Sequence, residues 1–454
     1  MITELLSPAG SLKNMRYAFA YGADAVYAGQ PRYSLRVRNN EFDHENLKIG
    51  IDEAHALGKK FYVVANIQPH NSKLKNFIRD IEPIIAMQPD ALIMSDPGLI
   101  MMVREHFPDM PIHLSVQANA INWATVRFWK DYGLSRVILS RELALEEIEE
   151  IQKNVPEIEL EVFVHGALCM AYSGRCLLSG YMNKRDANQG ACTNACRWEY
   201  KIHEAQEDAN GDVIPVQQIE PSKQCCSNKV QDDLVQSVLV QRNDEQMFAA
   251  EEDEHGTYFM NSKDLRAIQH VDRLTHMGIA SLKIEGRTKS YFYCARTAQI
   301  YRKAIDDALS GQPFDSSLMD QLEGLANRGY TEGFLRRHVH SDYQNYEDGS
   351  SHFDYQQFCG EIIERNGDYV QVEVKNRFLV GDTLELMTPK GNLVFTLTEM
   401  RDLKGHPIDN AKGSGHIVEI PLSADIDIAY ALLIRHLPHA KTQLKTDALA
   451  YSAD

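Results

Sequence analysis

Along residues 5–286, short apolar runs alternate with stretches whose apolar residues fall at i, i+3 and i+4. The runs are LLSPAG (5–10), AVYAG (25–29), FYVVANI (61–67), ALIMSD (91–96), IHLSVQ (112–117), RVILSR (136–141), LEVFVHG (160–166) and SLKIEG (281–286). Between them lie segments such as LKNMRYAFAYG and LALEEIEEIQKN, amphipathic at the helical period. Short buried strands alternating with helices predict βαβ units and a parallel sheet. Eight such strands predict an α/β fold, a closed (β/α)8 TIM-like barrel over residues 1–340. The competing arrangement is a doubly wound open sheet, but no G-x-G-x-x-G follows any of the runs.

The stretch beginning HFDYQQFCGE changes to strict alternation, with turn signals at NGD, VGD and KGN. It predicts a small C-terminal antiparallel β-barrel module at 356–440, joined by a linker at 341–355 and followed by a polar tail at 441–454. Inside the barrel, residues 203–256 read as an acidic, weakly apolar and partly mobile insertion. Between Glu204 and Glu254 it holds thirteen Asp and Glu against Lys223, Lys229 and Arg242, which is −10 of the chain's net −17. The remainder is only mildly acidic, so global charge does not exclude a nucleic-acid partner.

The opening MITELLSPAGSLKN lacks the basic and apolar regions of a signal peptide, and no stretch approaches a membrane span. The expectation is a cytoplasmic protein with no membrane partner and with reduced thiols. That matters for HGALCMAYSGRCLLSGYMNKRDANQGACTNACRW (165–198), which holds four of the eight cysteines: Cys169, Cys176, Cys192 and Cys196. A metal site is favoured over a disulfide framework or a chance grouping of small buried residues. Zinc and iron–sulfur clusters both accept four thiolates. Only Cys192-x3-Cys196 has the spacing of a zinc knuckle, and wide spacing around glycines suits a cubane better. Cys225, Cys226, Cys294 and Cys359 do not join this grouping.

The window follows the strand LEVFVHG and so lies at the C-terminal, catalytic face of the predicted barrel. Other polar strand ends on that face are Asn66, Ser95–Asp96, Gln117, Arg141–Glu142, His165 and Lys283–Glu285–Arg287. Asn66 and His70 are candidate substrate contacts, against the simpler reading of satisfied loop residues. Lys283, Glu285 and Arg287 alternate along one run, so all three are expected to point inward, where a structural ion-pair network is the plainer reading.

The stretches LSPAGSLKNMRYAFAYGADAVYAG, EVFVHGALCMAYSGRCLLSGYMNKRDANQGAC, SLKIEGRTKSYFYCARTAQIYR and NRGYTEGFL resemble the peptidase U-32 (collagenase-like protease) family. The likeness runs from about residue 4 to 340 and on into the C-terminal module. Despite the family's name, it includes oxygen-independent hydroxylases of RNA and of the ubiquinone pathway. The resemblance implies prephenate-dependent hydroxylation of the tRNA wobble uridine to 5-hydroxyuridine, with tRNA and a small metabolite as partners. It also implies a [4Fe–4S] cluster, with iron–sulfur assembly proteins as further partners. Cys169, Cys176 and Cys192 match ligands found across the group; Cys196 matches the fourth ligand of one branch. Another branch takes its fourth ligand from a later stretch, here FMNSKDLRAI, which has no cysteine.

Prephenate carries two carboxylates, for which Arg36, Arg141 and Arg287 are candidate forks. Arg32 and Arg38 flank Arg36 in a loop that also reads as solvated. Tyr and Arg residues on the same face are candidates to stack an extruded base. LRRHVH (335–340) is a candidate phosphate contact, equally readable as a solvated face. Two other functions remain open: a collagenase-like peptidase, or a non-catalytic iron–sulfur partner of a hydroxylase complex. Neither H-E-x-x-H nor G-x-S-x-G is present to favour the peptidase, although His165 stands near Cys169.

Overall fold

The computed structural model describes residues 3–35, 41–168, 263–327, 329–336 and 356–437, together with the backbone of five strands between Lys201 and Thr257. Seven parallel strands follow one another around a barrel: β1 (Glu4–Pro8), β2 (Ala25–Gly29), β3 (Lys60–Ala65), β4 (Ala91–Met94), β5 (Ile112–Leu114), β6 (Arg136–Ile138) and β7 (Glu159–Ala167). The strands β8–β12 (Lys201–Glu207, Val213–Pro215, Gln236–Gln241, Met247–Asp253 and Gly256–Thr257) form a separate antiparallel sheet. β13 (Asp264–Arg266) then runs back antiparallel along the end of β7. β14 (Ser281–Ile284) closes the ring, with Ser281 opposite Glu161 of β7 and Glu4 of β1. β15 (Tyr330–Thr331) extends the edge beyond β13.

The eight-stranded barrel follows the apolar runs. The described backbone in and beside the acidic insertion forms a five-stranded sheet. The insertion's high net charge hid two short apolar runs, SVLV and MFAA, that supply β10 and β11. One of the polar strand ends, Asp96, turns out to be a helix cap. Asp96 accepts from Leu99 N to start helix Pro97–His106, and Asn122 and Ser290 cap the helices that follow β5 and β14.

The barrel interior holds charge where branched aliphatic side chains are the norm. Arg136 Nη1 donates to Glu4 (2.6 Å) and to Glu161 (3.1 Å), and Lys283 Nζ donates to Glu161 at 2.7 Å. Tyr62 and Ser281 donate to the two oxygens of Glu4 at 2.7 and 2.9 Å. Arg136, Glu161 and Lys283 are all at most 3% exposed. Each carboxylate is therefore met by a cation and each cation by a carboxylate, which is what lets ions persist there.

Residues 356–436 form a six-stranded antiparallel sheet in the order Gly391–Thr396, Thr383–Thr388, Leu432–His436, Gln356–Asn366, Tyr369–Val374, Ile417–Pro421. This sheet is held against helices Leu12–Ala20 and Tyr291–Leu309 on the outside of the barrel. Phe292 stacks on Phe358 with ring centres 4.9 Å apart, and Met387, Leu432 and Ile434 complete the barrel's outer core. Tyr17 donates to Glu361 at 2.6 Å, and the Tyr21 hydroxyl lies 2.9 Å from the Met387 and Tyr430 carbonyl oxygens. At the centre, the buried Arg296 guanidinium grips Glu385 end-on, Nη1 and Nη2 donating to its two oxygens at 2.8 and 2.9 Å.

Burial would raise the Glu385 carboxyl, but His436 and Arg296 outweigh it and hold the group at about 2. Its folded value thus lies below its ordinary one. The stabilisation it brings is complete above that ordinary value and is lost as pH falls toward 2. Arg296→Ala is expected to destabilise the protein by about 3–5 kcal/mol near neutrality, because it strands a buried carboxylate. Denaturant melts should show the gap from wild type closing between about pH 4.5 and pH 2. A gap that stays constant over that range would mean the pair is not ionised in the fold.

Candidate active site at the barrel mouth

The C-terminal ends of β2, β6, β7 and β14 converge on two buried aromatic rings, Tyr27 and Phe163. Lys283 Nζ lies 4.2 Å from the centre of Tyr27 and 5.4 Å from that of Phe163. The Arg141 guanidinium is 4.0 Å above Phe163, with Nη1 donating to the Ala167 carbonyl at 3.0 Å. Arg287 lies 5.9 Å from the Tyr27 ring and donates to Ser34 Oγ at 2.8 Å. The Tyr27 hydroxyl bridges the Ile284 carbonyl (2.9 Å) and Glu285 Oε2 (3.1 Å). Burial, with Glu285 adding to it, pushes this phenol well above its ordinary value, so it stays protonated.

Four predicted site residues therefore meet here: Arg141, Lys283, Glu285 and Arg287. Their placement differs from the expected alternation along one strand. β14 ends at Ile284, its register slips between Lys283 and Ile284, and Gly286 takes φ +152°. Lys283 consequently belongs to the interior ion-pair network, while Glu285 and Arg287 stand on the turn above it. Burial lowers the Lys283 ammonium and Glu161 opposes that shift.

Asn66 is fully hydrogen-bonded to neighbouring strand ends. Its amide nitrogen donates to Gln117 (2.9 Å) and Ser115 (3.2 Å), its side-chain oxygen accepts from Leu35 N, and its carbonyl accepts from Ser95. It ties the C-terminal ends of β3, β4 and β5 together. His70 is exposed at the start of helix Asn71–Leu74 and is not part of the aromatic cluster. Arg32 donates to Asp80 at 2.6 Å, and Arg336 pairs with Glu332 at 2.8 Å. Arg36, Arg38, Arg337 and the four cysteines Cys169, Cys176, Cys192 and Cys196 lie outside the described residues.

His165 is enclosed by Tyr293, Tyr301 and Tyr330, whose ring centres lie 5.5–5.8 Å away. The Tyr301 hydroxyl donates to the Val164 carbonyl at 2.8 Å, so its oxygen is free to accept from His165 Nδ1 at 3.2 Å. Burial, then Lys289 and Arg266, push this imidazole down to about 3. It is neutral and weakly basic at any physiological pH. A cysteine-peptidase base needs the opposite tuning; Cys169 itself lies outside the described residues. Among the described residues no three His, Cys, Asp or Glu side chains converge as a metal site. Burial pushes the Cys294 and Cys359 thiols up to about 12, which makes them poor ligands.

Sequence reasoning missed Tyr27, Phe163 and Ser34. The first two sit inside the runs AVYAG and LEVFVHG, where an aromatic residue reads as ordinary core. Glu4, Arg136 and Glu161 were missed as well, although a charge within an apolar run was their signal.

The sequence model of Peptidase family U32 matches residues 10–345, and that of the Peptidase family U32 C-terminal domain matches 354–435. The chain is 67% identical over 452 residues to tRNA hydroxylation protein P of Escherichia coli strain K12, covering 96% of this chain and 99% of that one. It is 65% identical over 451 residues to the Haemophilus influenzae protein of the same name, covering 97% of each. A 23S rRNA 5-hydroxycytidine synthase of Escherichia coli is 27% identical over 402 residues, which span 85% of this chain and 52% of the synthase. On the family matches and on near-full-length identity to the two tRNA hydroxylation proteins, the chain belongs to peptidase family U32.

Proposed function

We propose that this chain is a tRNA-modifying enzyme of the cytoplasm that hydroxylates the wobble uridine to 5-hydroxyuridine without oxygen. The observation that carries the reading is the 65–67% identity over nearly the whole length to proteins named for tRNA hydroxylation. Prephenate serves as co-substrate or as its precursor. Cys169, Cys176, Cys192 and Cys196 would hold a [4Fe–4S] cluster, which their four thiolates suit. Such a cluster supplies electron transfer.

The chain's own residues supply the remaining work. A pyrimidine must leave its stack for its ring carbon to be reached, and it then needs an aromatic wall and edge contacts. Phe163 with Arg141 above it offers both. Lys283 and Arg287 flank the rings, and neutral Tyr27 is a hydrogen-bond partner that cannot lose its proton near neutrality.

Nucleoside analysis of tRNA from a deletion strain tests the reading. Loss of 5-hydroxyuridine, restored by this chain alone, is the expected result. Unchanged tRNA would remove the hydroxylase assignment, and restoration only with a second protein would favour a non-catalytic partner.

A further inference from the structure

The rim of the barrel mouth is electrically lopsided. Two loops leave the C-terminal ends of the paired strands β2 and β3, and neither residues 30–40 nor residues 66–79 include an Asp or Glu. That is unusual in a chain of net charge −17. The segment after β6 has the opposite sign, with five Glu against Arg141 alone between residues 141 and 150.

In the described part of the basic side, Arg32 stands in the first loop and Lys73, Lys75 and Arg79 in the second. The two loops are packed together: Tyr33 meets Phe77 edge-on with ring centres 5.1 Å apart, and its hydroxyl donates to Asp80 at 2.9 Å. One carboxylate serves both guanidiniums, since Asp80 accepts from Arg32 at 2.6 Å and from Arg79 at 3.2 Å. Among the described residues no carboxylate is bonded to the ammonium of Lys73 or Lys75. Burial, then Arg32, lowers the Lys73 ammonium, and no anion opposes the shift. Lys75 and Arg79 are four residues apart in a continuous right-handed stretch leading into helix Phe77–Ala86, so they are like-charged neighbours that repel. Four cations around one carboxylate leave a surplus of three.

The place of this surplus narrows what it can bind. Arg287 of the aromatic cluster donates to Ser34, two residues from Arg32, so the basic side adjoins the mouth. Arg32, Lys75 and Arg79 are exposed and spread over two loops. A small anion needs donors that converge, whereas a row of phosphates is met by cations distributed along a surface. We propose that this β2–β3 rim grips the phosphodiester backbone of the RNA whose base enters the mouth, with Lys73, Lys75 and Arg79 as phosphate contacts. The backbone is drawn to one side of the mouth and repelled from the other by the acidic segment after β6, which leaves Phe163 and Arg141 to the base. The choice of RNA as the polyanion rests on the proposed tRNA reading.

Equilibrium binding of tRNA from the deletion strain to the full-length protein, over a range of salt, is the test. Lys73→Gln combined with Lys75→Gln should weaken binding about tenfold or more at roughly 0.1 M salt, and lower the slope of log affinity against log salt by about 2. Arg79→Gln alone, at a position 71% exposed, should lower the slope by about 1 and guards against a folding defect at half-buried Lys73. Arg127→Gln with Lys130→Gln removes the same charge from helix Trp123–Asp131 and should leave the slope unchanged. The proposal is overturned if the rim variants keep the wild-type slope or if the Arg127 and Lys130 pair loses as much. It also falls if wild type binds vesicles of phosphatidylcholine and phosphatidylserine but not tRNA, which would make the rim a membrane contact. A deletion strain lacking 5-hydroxyuridine together with unaltered slopes would remove the rim and keep the hydroxylase, so the two failures are separable.

Discussion

Serine at Cys169, Cys176 or Cys192 is expected to leave anaerobically purified protein colourless and its tRNA unhydroxylated. Wild type should be brown, with about four iron and four sulfide per chain. A serine hydroxyl stays protonated near neutrality and replaces a soft thiolate with a hard, weak ligand. Losing one corner of a cubane therefore costs the whole cluster. Two other cysteines provide internal controls. Cys294 donates to the Pro8 carbonyl at 3.4 Å inside the core, and Cys359 is equally buried. Cys294→Ser, like Cys225→Ser and Cys226→Ser, should keep the colour. Stoichiometric zinc without sulfide in the wild-type protein would sink the iron–sulfur proposal, whatever the variants do.

Glu161→Ala is expected to be the most damaging single change in the barrel wall, lowering stability by about 3–5 kcal/mol. Glu161 is fully buried between β6 and β14 and accepts from both Arg136 and Lys283. Its removal leaves a buried ammonium with no carboxylate bonded to it and weakens the hold on Arg136. The Lys283 ammonium is already lowered by burial, and Glu161 is the first influence opposing that. Denaturant melts at neutral pH would measure the loss. The diagnostic comparison is Glu161→Gln combined with Lys283→Met, which removes both charges and should recover much of the stability lost in Glu161→Gln alone. Equal stability of the single and double variants would mean that the pair is not coupled.

The eight barrel strands were legible because each is a short apolar run, buried on both faces and punctuated by polar caps. The inward direction of Lys283 was legible too, from its place in SLKIEG. Its partner was not. Only the pairing of β14 with β7 brings Glu161 opposite Ser281, and register across a closed sheet is a tertiary property. The same limit explains Asn66, whose polar side chain at a strand end reads as a ligand contact until Gln117 and Ser115 are seen to occupy it. The hold of the C-terminal sheet on the barrel was invisible for another reason. Arg296 lies within an ordinary amphipathic helix, and nothing local shows that Glu385, 89 residues later, meets it.

The pairing of Ala167 with Asp264 has one more consequence. The chain between them starts and ends at neighbouring positions across a strand pair, about 5 Å apart. The entropy of closing a loop grows only with the logarithm of its length, so doubling such an excursion adds about 0.6 kcal/mol. With its two ends clipped together by strand hydrogen bonds, the barrel is nearly indifferent to how much chain it carries there. Outside the four cysteines assigned to the cluster, chain can be added or removed here while the wall beneath it, from Glu4 to Ile284, keeps its register.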